Sequence, residues 1–431
     1  MTAVHPTRPA AGTASRPALD WSDLHRLPDR PVRAAIARRL FRHAVDRLPM
    51  RVVLVPTGET WGAGDAAAPV MTLVRPDAFF DRLGDSGLIG FGEAFMAGDV
   101  TAGDHDAHLV PLITILAERI TDLVPRSIAR LRRLGVRRRP AGEENTPTGS
   151  RDNIARHYDL SNELFASFLD PTMTYSAALF DAPLGTAAGA TSWSDLEAAQ
   201  HRKIDRLLDA CGVGPGTSVL EIGTGWGELA LRAASRGATV RSITLSEEQR
   251  DLARHRVADA GLDDRVSIEL CDYRAVSGRF DAVVSVEMIE AVGAAYWGAY
   301  LSTLDRVLAD GGTAAVQAIT MPHQQMLATV DDQTWIHKYI FPGGMIPSVT
   351  ALAEAAGTTR LRIVDDMSFG PHYAETLRLW RERFETNSAN VAGFGDDPTF
   401  RRMWTFYLAY AEAGFRARYL DVHQLVFRRP A

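Results

Sequence analysis

The stretch Val219–Glu228 reads VLEIGTGWGE and places three glycines directly after an apolar run. Glycine has no Cβ, so Gly223, Gly225 and Gly227 would let the backbone approach a ligand closely. A turn of this kind between a first strand and its helix is typical of sites for nucleotide-like ligands. The dinucleotide fingerprint is G-x-G-x-x-G, whereas the spacing here is G-x-G-x-G. Glu221 precedes the turn, and a carboxylate there would repel a pyrophosphate and suit a cation. The pattern therefore favours S-adenosylmethionine, which carries sulfonium and ammonium groups and no phosphate.

Polar residues also follow the next two predicted strands. ITLSEEQ supplies Thr244 and Gln249 where an acidic residue would usually grip a ribose, and CDYRA supplies Asp272 and Tyr273. Ligands of open α/β sheets bind outside the carboxyl ends of the strands. We therefore expect these four side chains at the cofactor, with Asp272 and Tyr273 toward its adenine.

The elements that must position these residues alternate between strand and helix patterns. Five strands are predicted, with the sequences TSVLEIG, ATVRSITL, VSIELCD, FDAVVSVEM and GTAAVQAIT. The helix after the first strand closes at Gly237, and the next helix has Ser246 as N-cap and Gly261 as terminator. This alternation predicts an α/β fold with a mostly parallel, doubly wound sheet.

The length of 431 residues predicts two domains. Residues 1–20 are rich in Pro, Ala, Ser and Thr and lack the apolar core of a secretory signal, which indicates a disordered tail. Residues 137–152 combine charge with Pro, Gly, Ser and Thr, as linkers do. We therefore expect an N-terminal domain over 21–136 and a catalytic domain over 153–431.

Composition excludes several classes of protein. The formal net charge of −6 argues against a general nucleic-acid partner. Two cysteines, Cys211 and Cys271, make neither a disulfide framework nor a zinc cluster, so no metal site is predicted and the cytoplasm is the expected compartment. No run approaches the roughly 18 consecutive apolar residues of a membrane span.

Arginines concentrate in two stretches of the N-terminal domain. Residues 30–51 contain seven arginines against one acid, Asp46, and residues 125–140 contain seven with no acid. Val32, Ile36 and Leu40 recur among the first set at helical spacing, as in an interfacial amphipathic helix. A solvated helix face is the alternative interpretation. Since each basic residue near an anionic surface contributes about 1 kcal/mol, we expect a peripheral location at the inner face of the membrane.

Seven motifs occur in order from residue 157 toward the C-terminus: HYDLSN, MTYSxxLF, LEIGTGWG, ITLSxxQ, DYR, KYIFPGG and GFRARYLD. With them the chain resembles the cyclopropane-fatty-acyl-phospholipid synthases and the mycolic acid cyclopropane synthases. The resemblance implies a class I S-adenosylmethionine-dependent methyltransferase fold with a smaller, lipid-presenting N-terminal domain. It also implies addition of a one-carbon unit from S-adenosylmethionine to the double bond of an unsaturated acyl chain in a membrane phospholipid.

Methylation of an alkene leaves a carbocation, which requires a dry site. Aromatic faces stabilise positive charge by about 0.5–2 kcal/mol each. The candidates for this role in the aromatic clusters are Tyr158, Tyr175, Tyr296, Trp335, Tyr339 and Tyr373. The resemblance assigns Tyr175 and Ser176 to cofactor binding.

The family uses a bicarbonate ion as base, held by a cysteine, a glutamate, a histidine and a tyrosine. The glutamate matches Glu290 and the tyrosine matches Tyr373, whereas the cysteine position is Ala177 and the histidine position is Gln317. These two departures weaken the case for a tightly bound bicarbonate. We expect Glu290 to be the main polar anchor of the reaction chamber, with Gln317 and Tyr373 in the same catalytic set.

VSVEMIEAVG and QAITMPH resemble one branch of the family, the methyltransferases that build 10-methyl (tuberculostearic) acids in actinobacteria. This resemblance implies 10-methylene stearate as the product from oleate, which a separate flavin or NADPH reductase then converts to the methyl branch. A cyclopropane synthase is the nearest alternative, and a non-catalytic lipid-binding pseudoenzyme is another. The sequence leaves monomer and homodimer open.

Overall fold

A computed structural model describes residues 21–123, 145–146, 149, 161–181, 191–391 and 394–430. The predicted tail 1–20, most of the predicted linker 137–152, the arginine-rich stretch 125–140 and Tyr158 lie outside the described residues. None of the helices within these ranges is long and apolar enough to cross a membrane.

The described strands are β1 (Arg51–Leu54), β2 (Thr60–Trp61), β3 (Val70–Leu73), β4 (Val100–Ala102), β5 (Ser218–Ile222), β6 (Thr239–Thr244), β7 (Val266–Leu270), β8 (Phe280–Val286), β9 (Leu308–Thr320), β10 (Arg362–Ser368) and β11 (Asp421–Arg428). The described helices are α1 (Ser22–His25), α2 (Pro31–Val45), α3 (Pro76–Ser86), α4 (Leu88–Ala97), α5 (Leu109–Leu123), α6 (Asn162–Phe168), α7 (Trp193–Ala210), α8 (Glu228–Ser235), α9 (Glu247–Asp259), α10 (Ile289–Val292), α11 (Trp297–Val307), α12 (His323–Thr329), α13 (Trp335–Tyr339), α14 (Val349–Ala356), α15 (Gly370–Asn387) and α16 (Pro398–Arg416).

The larger sheet has seven strands in the order β10-β11-β9-β8-β5-β6-β7. The neighbours from β9 to β7 pair in parallel, and β11 pairs antiparallel with both β9 and β10. The strand order reverses at β5, which lies between β6 and β8. The predicted doubly wound, mostly parallel sheet is therefore confirmed, while β10 and β11 were not among the predicted strands.

Helices cover both faces of this sheet because its strands are apolar on both sides. Val219 of β5 packs in a buried layer with α7, α8 and α9, and its neighbour Leu220 packs in the opposite layer with α11 and α14. Successive side chains of a strand point to opposite faces, so a strand covered on both sides reads as a continuous apolar run. This explains why Val219, Leu220 and Ile222 are apolar, while the buried Glu221 between them is the exception.

Cap residues set the ends of the helices that follow β5 and β6. The Ser246 hydroxyl accepts a hydrogen bond from the Gln249 backbone N–H at 3.2 Å, which is the predicted N-cap of α9. Gly237 and Gly261 follow α8 and α9 with φ of 89° and 65°, a left-handed backbone that favours glycine. The N-terminal cap of α9 thereby fixes Gln249 close to Thr244, at the edge of the sheet where β6 ends.

A four-stranded sheet in the order β2-β1-β3-β4 forms the core of the N-terminal part, with α2, α3 and α4 packed near it. Phe95 of α4 packs on Phe406 of α16, with ring centroids 5.5 Å apart. Trp335 also packs on Phe406, at 4.7 Å. The two sheets therefore belong to parts of the chain that share one apolar cluster.

Candidate active site

The glycine turn after β5 has a backbone that requires glycine. Gly223, Gly225 and Gly227 have φ of 97°, 52° and 90°, which side chains rarely adopt. A Cβ on Gly223 would lie 2.5 Å from the Met288 side chain, and one on Gly227 would lie 3.1 Å from the Ala253 Cβ. A Cβ on Gly225 would meet no described atom within 4 Å. Gly225 thus faces open space, whereas Gly227 allows α8 to approach α9.

A cleft opens where the strand order reverses, at the carboxyl ends of β5, β6 and β8. Eight of the residues predicted to bind the cofactor line it: Tyr175, Ser176, Glu221, Gly223, Gly225, Thr244, Gln249 and Tyr273. Gly227 and Asp272 are not among the described residues that line it. The structure therefore brings together most of the set, from four separate segments of the chain.

Glu221 presents a buried carboxyl group to the cleft. Its Oε2 accepts a hydrogen bond from the Ser242 hydroxyl at 2.5 Å, and the Ser242 and Thr224 hydroxyls are 2.7 Å apart. Burial raises the pKa of Glu221 to about 8. A cationic ligand would favour the ionised form of this group, because an opposite charge nearby lowers the pKa of a carboxyl.

The polar residues after β6 and β7 include three that line the cleft and one, Asp272, that does not. Thr244 donates from its hydroxyl to Gln249 Oε1 at 2.9 Å, and both side chains are buried. The buried Tyr273 hydroxyl has no hydrogen-bond partner among the described residues, as expected of a group that awaits a ligand. Asp272, in contrast, accepts two hydrogen bonds from the Arg274 guanidinium at 2.9 and 2.7 Å. That ion pair engages the Asp272 carboxylate outside the cleft.

Glu287, directly after β8, also lines the cleft, and it was not among the predicted site residues. Its Oε1 accepts from the Ala177 backbone N–H at 2.9 Å and from Gln317 Nε2 at 2.8 Å. Its Oε2 accepts from the Tyr373 hydroxyl at 2.9 Å. Burial raises the pKa of this carboxyl, while the Ala177 N–H, the Lys203 charge, Gln317 and Tyr373 act to lower it.

A row of polar side chains across the sheet fixes the direction of the Gln317 amide. Gln317 of β9 lies opposite Gln424 of β11 and accepts from its Nε2 at 3.0 Å. Gln424 Oε1 accepts from Arg206 at 2.8 Å. A guanidinium can only donate, so each amide in the row must turn its NH₂ group toward the next residue. The row therefore delivers an N–H donor to Glu287.

Lys203 is a buried cation beside this carboxylate and was also not predicted. Its Nζ donates to the Ser176 hydroxyl at 2.6 Å, and burial lowers its pKa to about 8. Glu287 and Asp170 are the charges that act to raise that pKa. Lys203 and Ser176 both line the cleft.

Aromatic side chains surround Tyr175. Its ring stacks on Trp380 with centroids 5.3 Å apart, and its hydroxyl lies 2.6 Å from that of Tyr407. Phe165 packs edge-on against the same ring at 5.2 Å. Tyr373 lies 6.1 Å from Trp380 and 4.7 Å from Phe415 between ring centroids. Glu287 therefore stands where the cofactor cleft meets a buried aromatic region.

None of the four described residues of the predicted catalytic set lines the cleft: Gln317 and Tyr373 reach it through Glu287, and Glu290 and Tyr339 have other partners. The Glu290 carboxyl accepts from the Ile319 backbone N–H, and its buried Oε2 has no partner among the described residues. Burial, and then the charge of Glu287, raise the pKa of Glu290 to about 8. The Tyr339 hydroxyl donates to Glu93 of α4 at 2.9 Å.

The comparisons with known proteins agree with this geometry. The sequence profile described as mycolic acid cyclopropane synthetase matches residues 145–425. The chain belongs to this family. It is 53% identical over 408 residues to tuberculostearic acid methyltransferase UfaA1 of Mycobacterium tuberculosis, with 94% of each chain covered. It is 34% identical over 376 residues to the cyclopropane-fatty-acyl-phospholipid synthase of Escherichia coli K12, with 85% of this chain and 89% of that one covered.

Solved structures of the family confirm the fold class. The mycolic acid cyclopropane synthase CmaA1, determined in complex with SAH and CTAB, superposes with a TM-score of 0.58. It shares 29% identity and covers 65% of this chain and 98% of its own. The protein is thus a class I methyltransferase that uses S-adenosylmethionine. The Glu221 carboxyl, the open face of Gly225 and the Tyr273 hydroxyl, which has no partner in the described part of the chain, fit that cofactor.

Proposed function

We propose that this member of the cyclopropane synthase family methylates the double bond of an oleoyl-type acyl chain in a phospholipid and so converts it into a 10-methylene acyl chain. The observation that carries the proposal is the 53% identity to a tuberculostearic acid methyltransferase over 94% of both chains. The name of the Escherichia coli relative supports an acyl phospholipid as substrate. The 10-methylene chain is the precursor of tuberculostearic acid.

The residues around the cleft suit this chemistry. S-adenosylmethionine, when bound, supplies an electrophilic methyl group. Glu221 would attract the positive charges of this ligand, and the positive-φ glycines would let it approach β5. Tyr175 is partly buried at the cleft and stacks on the buried Trp380, and an aromatic, apolar wall of this kind suits a short-lived carbocation.

The proposed product stops at the methylene stage. Among the described elements, one glycine-rich turn joins a strand to a helix, after β5, and this turn suits the methyl donor. Reduction of the methylene group to a methyl branch needs a hydride donor. We therefore assign that step to a separate flavin or NADPH reductase.

The test is methyl transfer by the purified protein to vesicles of dioleoyl phosphatidylglycerol, with carbon-13 in the methyl group of S-adenosylmethionine. We expect vinylidene signals in the proton NMR spectrum of the extracted lipid. Vesicles of a fully saturated phosphatidylglycerol are the matched control and should stay unlabelled. Unlabelled dioleoyl lipid would contradict the proposal and favour a lipid-binding pseudoenzyme.

A cyclopropane synthase is the second candidate, favoured by the 34% identity to the Escherichia coli enzyme. Both products add CH₂ to the alkene, so mass does not separate them. Upfield cyclopropane proton signals in the same experiment would select this second function.

For the N-terminal part we propose a membrane-docking role. Val32, Ile36 and Leu40 of α2 are 72%, 55% and 40% exposed, on the side of the helix away from the buried Val45. Arg33 and Arg39 are exposed on the same helix. An apolar stripe flanked by arginines matches an interfacial helix on an anionic membrane. The proposed domains, 21–136 for docking and 153–431 for catalysis, follow this division of labour.

A further inference from the structure

The proposed reaction needs a proton acceptor inside the cleft. Three carboxyl groups line the described part of it: Glu221, Glu228 and Glu287. Glu228 is paired with Arg256 at 2.7 Å and with His201 at 2.9 Å. Glu221 receives one hydrogen bond, from Ser242, in the glycine-turn region. Glu287 receives three hydrogen bonds and adjoins the aromatic region.

We propose that the Glu287 carboxylate is the base of this enzyme and takes the place of a separately bound bicarbonate ion. The proposal rests on the function proposed above. It concerns a residue that follows β8 directly and faces both the cleft and Tyr373.

The step is a single proton transfer. After methylation and the hydride shift, a C–H bond of the added carbon breaks, and its electron pair forms the exomethylene double bond. The proton passes to a Glu287 oxygen, which becomes a carboxylic acid and later returns the proton to water. The carbocation is neutralised, so charge and atoms balance.

Burial raises the pKa of Glu287, and the groups around its two oxygens oppose that shift by stabilising the ionised form that a base requires. Three donors point at its two oxygens, from Ala177, Gln317 and Tyr373. The Lys203 cation adds a favourable charge. Hydrogen bonds to the charged form of a carboxyl stabilise it, and the direction of the Gln317 amide is set by the row that ends at Arg206.

A separate bicarbonate does not fit these residues. Ala177 and Gln317, the two bicarbonate-site positions at which the chain departs from the cyclopropane synthases, both donate to Glu287. The Tyr373 hydroxyl, which matches the family's bicarbonate tyrosine, donates to it as well. Three of the four positions that match the family's bicarbonate site are thus already bound to a carboxylate of the chain.

The backbone conformation of Glu287 supports its proposed role as the base. Its φ is 52°, in the left-handed region, where non-glycine residues are uncommon and concentrate at functional sites. The Glu287 N–H donates to the Gln317 carbonyl at 2.8 Å, which holds this conformation. Glycine would adopt the same backbone without strain, so Glu287→Gly removes the carboxylate and leaves its donors in place.

Two variants test the proposal. We expect Glu287→Gln to lower kcat by about 10²- to 10⁴-fold, the usual contribution of a positioned base, while calorimetry shows unchanged binding of S-adenosylhomocysteine. Glu354→Gln, which removes the same charge from an exposed position on α14, is the matched control. In Glu287→Gly, sodium formate or bicarbonate should restore turnover and raise the Tm relative to equal sodium chloride, because a small anion can occupy the vacated donors.

Wild-type-like turnover by Glu287→Gln would overturn the proposal. So would a folded Glu287→Gly that binds S-adenosylhomocysteine and shows no anion response in turnover or Tm. Failure of the proposed function looks different: the wild-type protein would then leave dioleoyl lipid unlabelled, while the formate-dependent Tm of Glu287→Gly would still report the anion site.

Discussion

At the scale of single residues, the site separates two carboxyl groups that are three positions apart. Glu287 receives three donors and the influence of Lys203, whereas Glu290 receives one backbone donor and feels the charge of Glu287. A pKa of about 8 keeps Glu290 largely protonated at neutral pH. Burial raises the pKa of both carboxyls, and at Glu287 the three donors and the Lys203 charge oppose that shift.

Gln317→Leu tests the polar row at this scale. The variant removes one N–H donor from the Glu287 carboxylate. A hydrogen bond to a charged group contributes about 1.5–3 kcal/mol, so we expect kcat to fall roughly 10- to 100-fold. Gln424→Leu, one residue further along the row, should reduce kcat less. Steady-state assays with calorimetry of S-adenosylhomocysteine measure both effects, and an unchanged kcat in Gln317→Leu would contradict the role of the row.

Glu221 predicts a pH dependence of cofactor binding. Its pKa is about 8 in the free protein, so below that pH the carboxyl binds a proton that a cationic ligand must displace. Affinity for S-adenosylmethionine should therefore rise between pH 6 and 7.5, by at most about tenfold per unit for one released proton. Calorimetry across this range measures it. Glu221→Gln should remove the slope, and a flat profile in the wild-type protein would reject the assignment.

The sequence predicted most of the cofactor cleft because its residues directly follow strands. Thr244, Gln249 and Tyr273 could be placed from strand ends alone. Glu287 carried the same signal, since FDAVVSVEM places an acid at the end of β8, but the resemblance directed attention to Glu290. Lys203 lies within a helix and contacts Ser176 from a distant part of the chain, so no local pattern indicated it.

At the scale of elements, the strands buried on both faces were predictable and the antiparallel ones were not. Most residues of β5 and β8 are buried and apolar, whereas β10 is largely exposed, with Asp365 and Asp366 in its middle. The insertion of β11 between β9 and β10 is a long-range pairing that no short stretch encodes. That pairing places Gln424 opposite Gln317, which explains why sequence reasoning missed the row.

At this scale we predict that helix α2 binds the membrane surface. Replacement of Val32, Ile36 and Leu40 together by serine should weaken binding to phosphatidylglycerol vesicles, because the stripe would no longer enter the interface. High salt should weaken binding of the wild-type protein as well, since exposed charges are screened beyond about 10 Å at 0.1 M. Co-sedimentation with vesicles measures both.

The matched control for α2 is a double replacement of Leu327 and Val364 by serine. These residues are 52% and 53% exposed on α12 and β10, outside the arginine-rich stretch, and should leave vesicle binding unchanged. Equal losses in both variants, or binding insensitive to salt, would argue against α2 as the docking element.

At the scale of the whole molecule, the N-terminal part and the methyltransferase part are joined by a common core. Arg402 of α16 donates to the Phe95 carbonyl at 3.2 Å, and Glu93 of α4 pairs with Lys338 of α13. Gly92 lies against the Trp335 ring, where a Cβ would stand 2.4 Å from Cδ1. The part proposed to meet the membrane is thus packed on segments that adjoin the reaction chamber.

Gly92→Ala tests this junction. An added methyl group in a packed core costs about 1–3 kcal/mol of unfolding free energy, and the Trp335 ring at Gly92 is 2% exposed. Gly298→Ala is the matched control, because Gly298 is also helical and its Cβ would meet no described atom within 4 Å. Alanine there should be neutral or stabilising by up to about 1 kcal/mol. Thermal unfolding followed by circular dichroism measures both Tm values. If the shared core couples the two parts, the protein unfolds in one cooperative transition and Gly92→Ala lowers its Tm. An unchanged Tm, or a second transition whose Tm the substitution does not change, would show that the two parts unfold independently.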